Sequence, residues 1–126
     1  VAVDVAEANL AINGLAKRVQ CVEAAGFAHP VLKAASPFDL IFANILKGPL
    51  IELAPAMAEN TAPDGLVILS GLLVVQAQSV TAAYVAAGFT MASPEQADAF
   101  HAAGVANGGT TCEDPPGYRD GQMGKL

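Results

Sequence analysis

Apolar residues recur along three segments at the spacing of an α-helix, every third or fourth position, with polar residues between them. Helix terminators follow the first and third segments, Asn13–Gly14 and Gly88, because glycine readily adopts the left-handed conformation that ends many helices. Pro49 fits a first helical turn, whereas we expect Pro55 to kink or shorten the second helix by removing a backbone hydrogen bond. The first apolar stripe predicts a helix over residues 2–13. The three stripes are, in chain order, Val1, Val5, Ala8, Ile12 and Leu15; Leu46, Leu50, Leu53 and Met57; and Leu73, Ala77, Val80, Tyr84 and Ala87.

Four shorter runs have the character of β-strands. Phe38–Ala43 (FDLIFA) and Leu66–Leu73 (LVILSGLL) are almost continuously apolar, as in parallel strands that are covered on both faces. Arg18–Glu23 (RVQCVE) alternates and is rich in β-branched residues, which predicts a strand near a sheet edge, and Phe89–Ala92 is a candidate for one more short strand. Residues 63–65 (PDG) predict a turn before the second apolar run.

The order of these elements predicts the fold class. Helices and strands alternate from residue 2 to about residue 92, which is typical of an α/β fold with three or four parallel strands and crossover helices. The segment EQADAFHAAG is compatible with a short helix, but residues 104–126 contain six glycines and a Pro-Pro pair without periodicity. We therefore predict one domain over residues 1–92 and a divergent, Gly/Pro-rich and poorly ordered tail over residues 93–126.

Composition narrows the class of protein further. Apolar residues make up 53% of the 126 residues and charged residues 14%, which favours a folded domain with one hydrophobic core. No apolar run approaches the roughly 20 residues of a membrane-spanning helix, and no signal-peptide pattern opens the chain, so we expect a cytoplasmic protein. The net charge of −6 disfavours direct binding to nucleic acid and suits a basic protein partner.

Few side chains are candidates for metal binding or acid–base catalysis. The two cysteines are far apart in sequence, and neither histidine has a partner at the spacing of a metal site or a catalytic pair. Two carboxylates are candidates for acid–base catalysis, but Asp39 lies at the amino-terminal end of a predicted strand and Glu52 lies on a helix face. We interpret these residues as free thiols, loop or solvent-facing imidazoles and solvated carboxylates: Cys21, Cys112, His29, His101, Asp39 and Glu52.

Ligands of open parallel sheets bind beyond the carboxyl ends of the strands, so the residues that follow each strand are the first candidates for a site. Asn44 directly follows the buried run Phe38–Ala43. Its carboxamide offers hydrogen-bond donors and an acceptor without a charge. The alternative is that Asn44 only ends the strand or caps the next helix.

The string FDLIFANILKGPLIELAP, from Phe38 to Pro55, resembles the ribosomal-protein methyltransferase family called PrmA. In that family Asn-Ile-Leu stands where many amino-methylating enzymes carry Asn-Pro-Pro-Tyr. The segment from Ala8 to Leu15 (ANLAINGL) is similar to the helix after the family's second strand. The segment from Leu69 to Phe89 (LSGLLVVQAQSVTAAYVAAGF) is similar to its fifth strand and following helix. The resemblance covers about residues 1–92.

This resemblance implies a partial doubly wound, Rossmann-like class I methyltransferase that uses S-adenosyl-L-methionine to methylate an amine of a large-subunit ribosomal protein. It implies that Asn44 contacts the cofactor with Ile45 and Leu46 as walls, and that Ser70 and Gly71 lie near the substrate. A strand end with close backbone packing is the alternative for Ser70 and Gly71. The implied chemistry is direct displacement without a metal or a catalytic side chain, which depends mainly on positioning.

Two departures from the family limit what the chain can do alone. The Gly-rich loop and the acidic residue that holds the ribose are absent, and Asp4 lies inside a helix pattern instead. In the family's order the absent strands lie between Arg18–Glu23 and Phe38–Ala43. We therefore expect the isolated chain to be inactive and to self-associate through exposed strand edges. The alternative is an inactive α/β module, a domain relic or oligomerising domain, that binds no cofactor.

Overall fold

The computed structural model describes residues 1–110, which fold into five α-helices and two β-strands. The chain divides after Gly71 into two compact units. In chain order the elements of the described part are α1 (Ala2–Ile12), α2 (Pro30–Ala35), β1 (Phe38–Asn44), α3 (Lys47–Asn60), β2 (Thr61–Ser70), α4 (Val74–Ala86) and α5 (Pro94–Ala106).

The two strands form a parallel pair joined by the crossover helix α3. Residues Leu40 to Asn44 of β1 lie beside residues Leu66 to Ser70 of β2 in continuous register. This arrangement confirms the predicted α/β fold with a parallel sheet and a crossover helix. The sheet has two strands in the described residues, fewer than the three or four predicted.

The two faces of this sheet differ in their burial. In the first unit the buried apolar residues are Ala43 of β1 and Leu50, Ala54 and Met57 of α3, and α3 contacts β2. Successive residues of a strand point to opposite faces, so the neighbours of Ala43 point away from this core. That second face, called the uncovered face below, is more exposed in the described residues: 66% of Phe42 is exposed, and Leu40 and Leu66 are 39% and 45% exposed.

The start of β2 contains the predicted turn as an irregularity inside the strand. Phe38 pairs with Thr61 and Leu40 with Leu66, so residues 62–65 lie opposite Asp39 alone. Asp64 has a φ of 62°, in the left-handed region that turns use. The predicted turn is therefore present, but it forms a bulge within a strand and does not precede it. The strand begins at residue 61, and it ends at Ser70 rather than at residue 73.

Two predicted strands are absent. Residues 19–24 have no regular secondary structure, although Arg18–Glu23 has a strand-like pattern. A strand needs a neighbouring strand for its backbone hydrogen bonds, and β1 and β2 pair only with each other in the described part of the chain. Phe89–Ala92 is also irregular: the Phe89 N–H donates to the Tyr84 carbonyl at 3.0 Å, so residue 89 still belongs to the turn that ends α4.

The helices with terminators end where the sequence predicts, but Pro55 does not shorten α3. Asn13 is the C-cap of α1, and Gly88 has a φ of 105° after α4. Helix α3 continues through Pro55 to Asn60. A proline removes only one helical hydrogen bond, and the buried side of α3 keeps its contacts with the core on both sides of Pro55.

The apolar stripe of α1 predicts the helix correctly but not the face that is covered. No residue of α1 is buried, and Val5 and Ile12 are 56% and 83% exposed. The half-buried positions of this helix are Val3, Ala6 and Leu10 instead. The stripe therefore faces outward in the described part of the chain.

One helix of the structure is not predicted from the sequence, and another is longer than predicted. In α2, which was not predicted, Pro30 takes the first helical position and His29 Nδ1 accepts a hydrogen bond from the Val31 N–H at 3.2 Å. The short helix expected in EQADAFHAAG is confirmed as the longer α5, capped by Ser93. Helix α5 lies in the predicted poorly ordered tail, while residues 111–126, with Cys112, lie outside the described residues.

Candidate functional site

The candidate site is the edge of the sheet at which both strands end. Asn44 and Ser70 are the last residues of β1 and β2, and their Cα atoms are paired in the parallel register. Paired residues of neighbouring strands point to the same face, so both side chains emerge from the uncovered face of the sheet. Both residues are exposed. The fold thus brings together two residues that are far apart in sequence.

Gly71 follows β2 and lies directly against the Asn44 side chain. Its φ of 76° is in the left-handed region. A Cβ atom on Gly71 would collide with Asn44 Oδ1 and would lie 3.6 Å from Asn44 Cγ. The close packing considered as the alternative for Gly71 is therefore present, and its partner is the Asn44 carboxamide. Sequence reasoning missed this contact, because only the strand register brings residues 44 and 71 together.

The connection from β1 to α3 consists of Ile45 and Leu46. Leu46 is the N-cap residue of α3, without a side-chain hydrogen bond, and its carbonyl accepts the Leu50 N–H at 3.1 Å. Asn44 therefore ends β1 but does not cap α3. The hydrogen bonds found within residues 1–110 do not include its carboxamide. Ile45 is 39% exposed and Leu46 is 78% exposed, so both present apolar surface near the strand ends.

The strand ends carry no ionisable side chain, so their chemistry is that of neutral hydrogen-bonding groups. Two ionisable groups among the described residues of the second unit, Tyr84 and Glu95, have shifted pKa values. Burial raises the pKa of the Tyr84 hydroxyl, which has no hydrogen-bond partner in the described part of the chain. A hydrogen bond with the Ser93 side chain lowers the pKa of Glu95, and a backbone hydrogen bond adds to this effect.

The remaining candidates for chemistry are not residues of the strand ends. A cavity of about 610 Å³ is lined by Glu7, Leu10 and residues 16–21, and it contains no predicted site residue. Cys21 is a free thiol. His101, expected to be solvent-facing or in a loop, lies half-buried within α5.

Neither a metal site nor a membrane span is found in the described residues. Within residues 1–110, no group of three or more His, Cys, Asp or Glu side chains is arranged to hold a metal ion. None of the helices in the same range is long and apolar enough to cross a membrane.

A parallel strand pair joined by a crossover helix, with polar residues at the carboxyl edge, defines an α/β protein and is consistent with part of a Rossmann-like fold. The sequence profile described as "Ribosomal protein L11 methyltransferase (PrmA)" matches residues 1–105. The chain belongs to this family, which confirms the resemblance read from the sequence.

Two relatives show how much of the family the chain represents. It is 52% identical over 90 residues to the ribosomal protein L11 methyltransferase of Brucella suis, which is 71% of this chain and 32% of the relative. It is 54% identical over 86 residues to the protein of the same name from Rhodopseudomonas palustris, which is 68% of this chain and 29% of the relative. The chain thus spans about a third of the length of these relatives. No solved structure matches it.

Proposed function

We propose that this chain supplies part of the cofactor and substrate site of an S-adenosyl-L-methionine-dependent methyltransferase that acts on amines of ribosomal protein L11. The family match over residues 1–105 supports the reaction class, and the relatives' names support the substrate. The observation that carries the proposal is the meeting of Asn44, Ser70 and Gly71 at one carboxyl edge of a parallel sheet.

The residues at this edge fit part of the cofactor. The Asn44 carboxamide is exposed, neutral and without a hydrogen bond to the described residues, so its N–H groups and oxygen are free for a ligand. Ile45 and Leu46 would lie along the apolar parts of the cofactor. When bound, S-adenosyl-L-methionine supplies an electrophilic methyl group on a sulfonium sulfur, which a neutral amine displaces directly.

Ser70 and Gly71 would hold the substrate beside this position. The Ser70 hydroxyl can donate and accept a hydrogen bond, and it lies on the same face as Asn44. Neutral groups suit an amine nucleophile, because a nearby carboxylate would favour its protonated form, which has no free lone pair. We assign no catalytic acid, base or metal to the reaction, so the contribution of these residues is orientation.

We further propose that the isolated chain transfers no methyl groups. It contains neither the Gly-rich loop nor the acidic strand end that the family resemblance implies. The cavity of about 610 Å³ also lies away from Asn44. These two observations favour a second candidate function, an inactive α/β module that binds no cofactor.

For the complete methyltransferase we propose a cytoplasmic location, because ribosomal proteins are its substrates. We also propose that it makes no direct contact with nucleic acid or with a membrane.

Titration with S-adenosylhomocysteine, followed in the ¹H–¹⁵N spectrum of the 126-residue chain, tests the proposal and separates the two candidates. We expect weak binding, with dissociation constants of about 1 mM, equivalent to about 4 kcal/mol. The resonances that shift should be the Asn44 side chain and the backbone amides of Ile45, Ser70 and Gly71. No shift at millimolar ligand, or shifts confined to other residues, would contradict the cofactor site and favour the inactive module.

A further inference from the structure

Gly71 has two separate reasons to be glycine, and only one of them concerns its own backbone. The first is its φ of 76°, which residues with a Cβ atom rarely adopt. The second is space: a Cβ atom would collide with Asn44 Oδ1. Gly14 has nearly the same φ, 69°, but nothing lies within 4 Å of its Cβ position. Comparison of Gly71 with Gly14 therefore separates the steric effect from the conformational one.

The absence of a side chain at residue 71 permits the position that the Asn44 carboxamide takes. The Asn44 side chain has two rotatable torsions, and no hydrogen bond to the described residues holds it. Its oxygen occupies the volume that a side chain at position 71 would fill, and the Ile45 carbonyl borders the same volume at 3.9 Å. The missing side chain of Gly71 thus allows a carboxamide position that any other residue at 71 would exclude.

We propose that Gly71 is a positioning residue for Asn44: because it has no side chain, the carboxamide can lie beside the end of β2, in a position from which a side chain at residue 71 would displace it. This inference rests on the proposed function, since it deepens the role of Asn44 at the cofactor site. It adds a second role for Gly71, which acts through Asn44 as well as beside the substrate.

A double-mutant cycle in the 126-residue chain tests the geometry. The variants are Gly71→Ala, Asn44→Ala and the double variant, with Gly14→Ala as the control for a positive φ without a collision. We expect Gly71→Ala to lower the folding equilibrium constant about threefold more than Gly14→Ala, since the colliding oxygen ends a flexible side chain that can turn aside at a small cost. In the Asn44→Ala background this excess should disappear, because the colliding oxygen is gone. Equal costs of Gly71→Ala in both backgrounds would overturn the proposal.

Two further readouts distinguish positioning from a general effect on stability. The Asn44 side-chain NH₂ resonances should shift in Gly71→Ala and stay in place in Gly14→Ala. The affinity for S-adenosylhomocysteine should fall about tenfold in Gly71→Ala. The double variant should bind as weakly as Gly71→Ala and no more weakly, because both substitutions remove the Asn44 carboxamide from its position. If Gly71→Ala does not fold, the proposal requires that Asn44→Ala restores folding, and failure of that rescue contradicts it.

The outcomes separate this inference from the proposed function. If the wild-type chain binds S-adenosylhomocysteine but the cycle shows no coupling, the positioning role is wrong and the cofactor site stands. If the coupling is present but no ligand binds, the geometry is right, and both the cofactor site and the role of Gly71 in it are wrong.

Discussion

Asn44 shows what sequence reasoning can and cannot find at the scale of one residue. Its place at a strand end follows from the apolar run before it, and the structure places it at the end of β1 beside Ser70. Its contact with Gly71 depends on the parallel register, which links residues that the sequence keeps apart. The exposure of the carboxamide and its lack of a hydrogen bond in the described residues are likewise properties of the folded chain.

Tyr84 leads to a prediction about pH. Its hydroxyl is buried without a hydrogen-bond partner in the described part of the chain, and burial raises its pKa above the ordinary value of 10.0. The unfolded chain therefore releases this proton at lower pH than the folded chain does. The stability linked to Tyr84 is complete below pH 10 and is lost as the pH rises through the raised value.

Substitution of Tyr84 by Phe should remove this pH dependence. At neutral pH we expect Tyr84→Phe to leave the free energy of unfolding unchanged or to raise it by up to about 1 kcal/mol, because a buried hydroxyl without a partner is removed. Urea unfolding at pH 7 and above pH 10 measures both effects. A loss of more than about 1 kcal/mol at pH 7 would show that the hydroxyl has a partner and would refute this account.

At the scale of elements, hydrophobic periodicity predicted the type of most segments but not their neighbours. The regions of α1, β1, α3 and α4 agree with their apolar patterns. Arg18–Glu23 has the same kind of pattern but forms no strand, because a strand also requires a partner of suitable register. For the same reason the apolar stripe of α1 remains exposed: a pattern shows which face can be buried, and tertiary contacts decide whether it is.

The uncovered face of the sheet predicts self-association, as expected from exposed strand edges. Phe42, Leu40 and Leu66 expose apolar surface next to each other on a sheet with only two strands in the described residues. Small two-stranded sheets are marginally stable alone, and exposed apolar patches favour association. We therefore propose that the chain forms dimers or larger assemblies through the sheet.

Phe42→Lys should shift this equilibrium towards monomers, because a charge on the uncovered face opposes its burial between chains. We expect the association constant, measured by sedimentation velocity over a range of concentrations, to fall about tenfold or more. Val75→Lys is the matched control, since Val75 is 86% exposed on α4. Association that weakens equally in both variants, or a wild-type chain that stays monomeric at high concentration, would argue against a sheet-mediated contact.

At the scale of the molecule, the family was recognised from a strand–helix string, and the match over residues 1–105 confirms it. The match extends past residue 92, where the sequence predicts the end of the domain. The apolar pattern of α5 is too weak to assign that segment to the domain or to the tail from sequence alone. The boundary of the methyltransferase domain therefore stays a prediction. The chain covers about a third of its relatives' length, and we propose that it holds one edge of their site.

The central claim is that the carboxamide of Asn44 binds the methyl-donor cofactor at the end of β1. Calorimetric titration with S-adenosylhomocysteine of the wild-type chain, Asn44→Ala and Asn9→Ala tests it most directly. Asn9 is an exposed asparagine of α1 that is not a predicted site residue, and it serves as the control. Loss of one or two hydrogen bonds should weaken binding about tenfold in Asn44→Ala, with no change in Asn9→Ala. Equal affinities of the wild-type chain and Asn44→Ala would contradict the claim.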